Sequence, residues 1–250
     1  MLRTVRATRY VTPFREGGSL PALVEADDLG LYVVKFRGAG QGPLALVAEI
    51  VAGEIGRALG LRVPELVLME VDAGLGRNDP DYEIRELLRA SVGLNLGVDF
   101  LPGSIMFDPA ARDRASSEVA SAAVWFDAFV TNIDRTARNP NLLYWHKSLY
   151  FIDHGAALYF HHDWKGTAHM ARSRFPAIRD HVLLPWADGI EESGRELRRR
   201  LDAGVLGGIL DMVPDAWLSA SRADYVEYFM QRLDDAGFVE EAVRAREQLV

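Results

Sequence analysis

Residues 132–155 read NIDRTARNPNLLYWHKSLYFIDHG. Two short apolar runs, Leu142-Leu143-Tyr144-Trp145 and Leu149-Tyr150-Phe151-Ile152, flank a His146-Lys147-Ser148 turn and predict a β-hairpin. Asp134 and Asn139 precede the hairpin, and Asp153 follows it in the triplet Asp153-His154-Gly155. Because a short hairpin brings its two ends together, we expect Asn139 and Asp153 to lie close to each other.

These three side chains suit phosphoryl transfer. Mg²⁺ prefers one or two protein oxygens together with phosphate and water, which Asn139 and Asp153 could supply. Asp134 would lie near the ion but outside its ligand shell, positioned to accept a proton from a hydroxyl group. Protein kinases provide the same groups as an Asp, an Asn five residues later and a second Asp in an Asp-X-Gly triplet. Alone, each motif also fits a capped or tight turn.

Composition excludes several classes of protein. The chain has 250 residues, 49% of them hydrophobic and 26% charged, which predicts one large domain or one two-lobed domain. The net charge of -8 predicts no broad surface for nucleic acid. Without cysteine there is no disulfide or cysteine-bound zinc, and the reducing cytoplasm is a compatible location. Neither a secretion signal nor a membrane-length apolar run is visible, so we expect a soluble protein without membrane contact.

Lysine is rare in this chain. Only Lys35, Lys147 and Lys165 are lysines among 28 basic residues. Lys35 ends the apolar run Leu31-Tyr32-Val33-Val34, and in a chain that otherwise uses arginine this lysine indicates a need for a compact ammonium rather than a planar guanidinium. The alternative is a strand-end lysine whose ammonium simply reaches water.

The first 71 residues predict a small β-rich lobe. Strands are expected at 3–11, 21–26, 31–36 and 63–71, a loop at 15–19, and one helix at 44–59 that ends at Gly60. Residues 72–250 are predicted to be mainly helical. Helices are expected at 82–90, 112–131, 190–203, 204–212, 221–235 and 238–249, an ordered loop at 92–107 and an irregular segment at 154–176. The fold class is therefore α+β with two lobes, a nucleotide-binding N-lobe at 1–71 and a C-lobe at 72–250.

The chain resembles the HipA-like kinases, bacterial serine/threonine kinases related in fold to protein and phosphoinositide kinases. The matching residues lie in the first 160 positions: Gly17-Gly18-Ser19, Leu23 to Asp28, Tyr32 to Phe36, Glu49, Ala58 to Leu61, Val63-Pro64, Asn132 to Arg135, Asn139 and Asp153. The resemblance implies transfer of the γ-phosphoryl group of ATP, with Mg²⁺, to a hydroxyl group, with Ser or Thr of a protein as the expected acceptor. It also implies a DNA-binding antitoxin as a candidate partner.

The same resemblance assigns roles residue by residue. Lys35 would bind the α- and β-phosphates, Asp134 would be the catalytic aspartate, and Asn139 and Asp153 would bind Mg²⁺. Three further assignments complete the expected site: Gly17, Gly18 and Ser19 cover the phosphates; Met69, Glu70 and Val71 present hinge backbone to adenine; and Glu49 pairs with Lys35. Glu54 remains an alternative partner for Lys35, because it falls on the apolar face of the same predicted helix.

Two departures leave other functions open. Thr136 stands where these kinases usually have histidine, and His154 stands where Phe is usual in protein kinases. The first alternative is therefore a nucleotide-binding pseudokinase or scaffold. A small-molecule kinase is the second, although the aminoglycoside kinases place His-Gly before the catalytic Asp and this chain has Asn132-Ile133. The remaining histidines do not have metal-ligand spacing, and a mobile loop over the substrate site is expected there: His161, His162, His169 and His181.

Overall fold

The computed structural model describes residues 1–14, 20–77, 79–164 and 167–249. Packing divides the chain into two compact units. The first comprises Met1–Val47 and Pro64–Pro102, and the second comprises Ala48–Val63 and Gly103–Val250. The helix predicted at 44–59 is present as α1, Gly42–Ala58, and most of it belongs to the second unit. The functional lobe limits at residues 71 and 72 stay a prediction.

A closed five-stranded barrel forms the first unit. Its strands are β1 (Thr4–Pro13), β2 (Ala22–Ala26), β3 (Leu31–Lys35), β4 (Leu66–Val71) and β5 (Gly93–Asp99), in the order β1-β2-β3-β5-β4. Parallel pairing of β1 with β4 closes the barrel, and the other strand pairs are antiparallel. Alternate side chains of β2 and β3 are buried, as expected for strands with one face toward a core.

The ordered loop predicted at 92–107 is wrong, because much of it is the strand β5. Glycine is needed in this strand: a Cβ at Gly97 would lie 2.7 Å from Cγ2 of Val67 on β4. Asn95 is buried, and its side chain donates to the carbonyls of Ser91 and Gly93. Residues that usually interrupt a strand therefore allow close packing here, a tertiary effect that local propensity does not contain.

Helices dominate the second unit, together with a small three-stranded sheet. The helices after α1 are α2 (Tyr82–Ala90, in the first unit), α3 (Ser117–Phe129), α4 (Thr167–Ala171), α5 (Ile190–Arg198), α6 (Ala203–Leu210), α7 (Arg222–Asp234) and α8 (Gly237–Glu247). The sheet comprises β6 (Ile105–Met106), β7 (Leu142–Trp145) and β8 (Ser148–Phe151) in that order. α3 contacts both α5 and α8, so it is the central helix of this unit.

The start of α3 illustrates how capping sets a helix boundary. The sequence predicts a helix from residue 112, but Arg112 has a left-handed φ of 70° and Ser116 is the N-cap. The Ser116 hydroxyl accepts a hydrogen bond from the Val119 N–H, which satisfies one of the free donors of the first turn. Among the described residues, no helix combines the length and apolar character needed to cross a membrane.

Candidate active site

The hairpin predicted between Asn139 and Asp153 is confirmed. Leu142 pairs with Phe151, and Trp145 pairs with Ser148. The turn has two residues, His146 and Lys147, with φ angles of 47° and 61°, the conformation that suits a tight hairpin.

Pairing continues beyond the strands to the ends of the hairpin. The Ile152 N–H donates to the Asn141 carbonyl over 3.0 Å. The residues that precede β7 and follow β8 are therefore held next to each other, which is the basis on which the site was predicted.

The carboxylate of Asp134 is held by two asparagines. Its Oδ2 atom accepts a hydrogen bond from Asn139 Nδ2 at 2.8 Å and another from Asn141 Nδ2 at 3.4 Å. The Asp134 N–H donates to Oδ1 of Asn132 over 3.1 Å, which also fixes the backbone. The side chain is half-buried, so it is oriented by the protein and still reachable from solvent.

Burial raises the pKa of the Asp134 carboxyl above its usual value, and the negative charge of Asp153 raises it further. The hydrogen bonds from Asn141 and Asn139 act in the opposite direction, because they stabilise the ionised form. A carboxylate with a raised pKa is a better proton acceptor than an ordinary aspartate.

Asp153 and Asn139 are both exposed, and Asp153 has a left-handed φ of 55°. Asp153 is close enough to Asp134 for its charge to influence the Asp134 pKa. Within the described part of the chain, no three histidine or carboxylate side chains converge as metal ligands. Asn139 and Asp153 are a different kind of donor set, amide and carboxylate oxygens, which fits Mg²⁺ only when phosphate and water complete its shell. Their metal role stays a prediction.

A buried ionic network centred on Asp127 of α3 supports this loop. Oδ1 of Asp127 accepts from Asn132 Nδ2 at 2.9 Å, and Oδ2 accepts from Arg135 Nε at 2.6 Å. Burial raises the pKa of the Asp127 carboxyl, but the charge of Arg135 and the contact with His181 outweigh burial and hold it well below its usual range. Asn132, two residues before Asp134, and Arg135, directly after it, are therefore both hydrogen-bonded to the central helix α3.

His181 is the third member of this network. Its Nε2 lies 2.8 Å from Oδ2 of Asp127, and its Nδ1 accepts the Leu183 N–H over 3.0 Å. Since Nδ1 is an acceptor, Nε2 is the ring nitrogen that donates to Asp127. The Val182 N–H also donates to the Arg135 carbonyl over 3.0 Å. The segment that contains His181 and Val182, although distant in sequence, is thereby bound to the loop that carries Asp134.

The mobile loop predicted for the four histidines is wrong for two of them. His161 and His181 are 2% and 5% exposed. Burial, and then the neighbouring His162, lower the pKa of His161 to about 3, so it is a neutral core side chain. Phe160 stacks on Tyr228 of α7 and anchors this segment. Aromatic packing near His161 and the contact of His181 with Asp127 are tertiary effects that the spacing of the histidines does not reveal.

The predicted residues of the first unit, with Glu49, lie as follows. Lys35 is the last residue of β3 and is in register with Leu96 of β5. Met69 and Glu70 lie between β1 and β5, whereas Val71 ends β4 and pairs with Gly93 alone. Gly17, Gly18 and Ser19 lie outside the described residues; the Phe14 N–H donates to the Pro21 carbonyl at the base of that connection.

The two candidate glutamates of α1 differ in environment. Glu49 is 1% exposed. Glu54 accepts hydrogen bonds from Nε of Arg57, one turn along the helix, at 3.3 and 3.2 Å. A buried carboxylate needs a cation, a donor or a proton, and Glu54 already has its arginine.

Sequence reasoning missed Asp127, Asn141 and the role of His181. Asp127 interrupts the apolar stretch 122–130, where a buried carboxylate must be paired, and that signal was available in the sequence. Asn141 directly precedes the first strand of the hairpin, and its closeness to Asp134 depends on a left-handed φ of 50°. The contact between residues 127 and 181 depends on tertiary structure alone.

A HipA-like kinase family model matches residues 8–237. The chain belongs to the HipA-like kinase family. Membership indicates a kinase, and therefore a phosphotransferase. No curated protein sequence shows significant similarity to the chain. Among solved structures, the chain is similar to the proinflammatory kinase CtkA of Helicobacter pylori, with a TM-score of 0.56 and 16% identity over 92% of this chain and 95% of that one. At that identity the likeness supports the fold alone.

Proposed function

We propose that this protein transfers the γ-phosphoryl group of ATP, with Mg²⁺, to a hydroxyl group, and that the acceptor is a Ser or Thr of a protein. One observation carries the proposal. Asp134 is a half-buried carboxylate with a raised pKa, and Asn139 and Asn141 orient it near one end of the hairpin. The other end of the hairpin leads into Asp153. The arrangement resembles the donor set of a kinase catalytic loop, and the chain belongs to a kinase family, which supports the proposal.

In this proposal Asp134 orients the acceptor hydroxyl and takes its proton. The Asn139 amide would have two functions, because Nδ2 donates to Asp134 while the side-chain oxygen of the same amide could bind a cation. Asp153 supplies the second protein oxygen. When bound, Mg²⁺ would neutralise phosphate charge as it builds up during transfer.

Lys35 would bind the α- and β-phosphates, with Glu49 as its helix partner. The pairing of Glu54 with Arg57 favours Glu49 over Glu54. A lysine at this position presents a compact charge to phosphate oxygens, which suits phosphates that must also bind a metal ion.

Met69, Glu70 and Val71 would present hinge backbone to adenine, and the residues that follow β5 are an alternative for these contacts. The strand beside β3 is β5, and Met69 and Glu70 have neighbouring strands on both sides. Strand β5 ends at Asp99, and the first unit ends at Pro102. The Asp99 and Phe100 N–H groups donate to the Glu65 and Leu31 carbonyls over 2.8 and 2.9 Å, so a base edge would have to bind the residues that follow them.

The remaining parts of the proposal come from the family. Gly17, Gly18 and Ser19 would cover the phosphates. A kinase that depends on ATP is expected to work in the bacterial cytoplasm, where ATP is abundant. A DNA-binding antitoxin is a candidate partner through family resemblance only.

A labelling experiment tests the proposal. Purified protein is incubated with a bacterial lysate and ATP labelled in either the γ- or the α-phosphate, with Mg²⁺ or with excess EDTA. We expect acid-stable label on Ser or Thr with γ-labelled ATP and Mg²⁺ only. Label from α-labelled ATP would indicate nucleotide transfer instead, and no label in any sample would favour a pseudokinase.

The pseudokinase is retained as a second candidate because of Thr136. Its hydroxyl accepts the Asn139 N–H over 3.3 Å, so threonine supports the loop locally. Threonine does not supply the ring nitrogens of the histidine that HipA-like kinases usually have at this position. Comparing the turnover of Thr136→His with that of the wild type measures the effect of this difference.

A further inference from the structure

Arg232 of α7 is a fully buried cation that contacts the ends of two other helices. Its side chain is 0% exposed, and burial lowers its pKa. Within the described residues its hydrogen-bond acceptors are all main-chain carbonyls: Phe129 and Ala128 at 2.8 and 2.7 Å, and Ser173, Ala171 and Met170 at 2.9, 3.1 and 3.5 Å. The guanidinium also lies 4.7 Å from the ring centroid of Phe238.

The acceptors occupy two helix C-termini. Ala128 and Phe129 are the last two residues of α3, and Met170 and Ala171 are the last two of α4. Carbonyls in a last turn lack intrahelical donors, and the negative end of the helix dipole attracts a cation. One guanidinium therefore donates to carbonyls at two helix ends; at the α4 end, the Met170 carbonyl also accepts the Ser173 N–H over 3.0 Å.

These two helix ends border the candidate active site in sequence. After α3 the chain turns at Thr131, which has a left-handed φ of 54°, and reaches Asp134 three residues later. α4 belongs to the segment that follows Asp153. Arg232 thus holds the end of α3, where the loop carrying Asp134 begins. It also holds the end of α4, in the segment that follows Asp153, the proposed metal ligand.

We propose that Arg232 is a positioning residue for phosphoryl transfer, which it supports by holding the α3 and α4 ends in one arrangement. This inference rests on the catalytic role proposed for Asp134. It also gives one reason for the arginine bias of the chain. A planar fork with five donors can bind several carbonyls at once, whereas a lysine ammonium has three donors at a single point.

The chain provides a control on the same helix. Arg222, at the start of α7, donates from Nε to the Leu210 carbonyl at the end of α6 and from Nη2 to the Val213 carbonyl, at 3.0 and 2.6 Å. It therefore stabilises a helix end as Arg232 does, but α6 does not lead to Asp134. Arg222 also pairs with Asp211 and Asp215 and is partly exposed, so Arg222→Lys controls for the loss of contacts at a helix end and not for the loss of a buried cation.

The test has two readouts. In hydrogen exchange, Arg232→Lys should accelerate exchange in both residues 128–134 and residues 169–173, whereas Arg222→Lys should affect residues around 207–213 only. In steady-state kinetics, Arg232→Lys should lower kcat by roughly tenfold or more with KM for ATP nearly unchanged, because a small displacement of a catalytic group reduces turnover without removing ATP contacts. Arg222→Lys should leave kcat unchanged.

Two results would overturn the inference: equal kcat for the two lysine variants, or unchanged exchange at 128–134 in Arg232→Lys. If Arg232→Lys does not fold, Phe238→Leu decides, since it removes the ring beneath the guanidinium. Faster exchange at 169–173 in that variant supports the inference, and unchanged exchange rejects it. Failure of the proposed function would appear separately, as full activity in Asp134→Asn, and would leave the exchange result intact.

Discussion

His181 donates a hydrogen bond to Asp127 over 2.8 Å, although 54 residues separate them in sequence. Arg135 binds the same carboxylate oxygen, so a helix, the loop carrying Asp134 and a distant segment meet at one buried charge. The position of Asp134 therefore depends on Asp127, although the two side chains do not bind each other directly.

Asp127→Asn should destabilise the protein strongly. The variant leaves Arg135 buried without its counter-ion, and breaking a buried ion pair costs about 3–5 kcal/mol. The matched control is Asp234→Asn, which breaks the exposed Arg198–Asp234 pair and should cost less than about 1 kcal/mol. Denaturant unfolding measures both. Equal, small losses would mean that the network contributes little to folding.

Acid titration provides a second check on Asp127. Because its folded-state pKa is lowered, its stabilising contribution is present above the unfolded pKa of about 3.9 and disappears as pH falls below that value. The free energy of unfolding of the wild type should therefore fall more steeply below about pH 4 than that of Asp127→Asn. Parallel curves would contradict the pairing.

Asp134 should show the opposite dependence on pH. Its pKa is raised in the folded state, so the carboxylate opposes folding at neutral pH and this penalty disappears as pH falls through the raised pKa. We expect Asp134→Asn to melt at a higher temperature than wild type at neutral pH and the difference to shrink toward pH ~4. Melting curves across this range test it. A lower melting temperature at neutral pH would indicate that Asp134 is a structural residue.

The sequence predicted most of the local structure and the hairpin of the site. Apolar periodicity located α1 to α3 and α5 to α8, and the turn residues located the hairpin between Asn139 and Asp153; α4 was missed, because it lies in the segment predicted to be irregular. Sequence patterns missed β5, because its glycines and Asn95 are explained only by packing against β4 and by tertiary hydrogen bonds. They also missed the contacts of Asp127 with His181 and of Arg232 with two helix ends, since nothing in local sequence specifies which distant segment meets a buried charge.

Asp153→Asn should separate a metal role from a backbone role. Asparagine tolerates the left-handed φ of 55° at this position, so the apo melting temperature should stay close to wild type. Stabilisation by ATP with Mg²⁺ should be lost, because the charged ligand is gone. Thermal shift with ATP, with and without Mg²⁺, measures both effects. A variant that keeps its Mg²⁺-dependent shift would exclude Asp153 as a ligand.

Lys35→Arg tests whether the rare lysine was selected for phosphate binding. Arginine preserves charge, but its wider guanidinium cannot occupy the same point, and we expect transfer to fall at least tenfold, about 1.4 kcal/mol in transition-state stabilisation. Lys147→Arg is the matched control, since Lys147 is exposed in the hairpin turn and should tolerate the change. Single-turnover rates of the two variants, with folding checked by circular dichroism, give the comparison. Wild-type rates for both would place Lys35 outside the active site.

The most direct test of the central claim is single-turnover phosphoryl transfer by Asp134→Asn, with ATP affinity measured on the same preparation. Asparagine keeps the shape of the side chain and loses the proton acceptor. The account predicts that transfer falls by roughly 10²–10⁴-fold while the Kd for ATP with Mg²⁺ changes little. A folded variant that transfers phosphate at the wild-type rate, or that loses binding and transfer in equal measure, would contradict it.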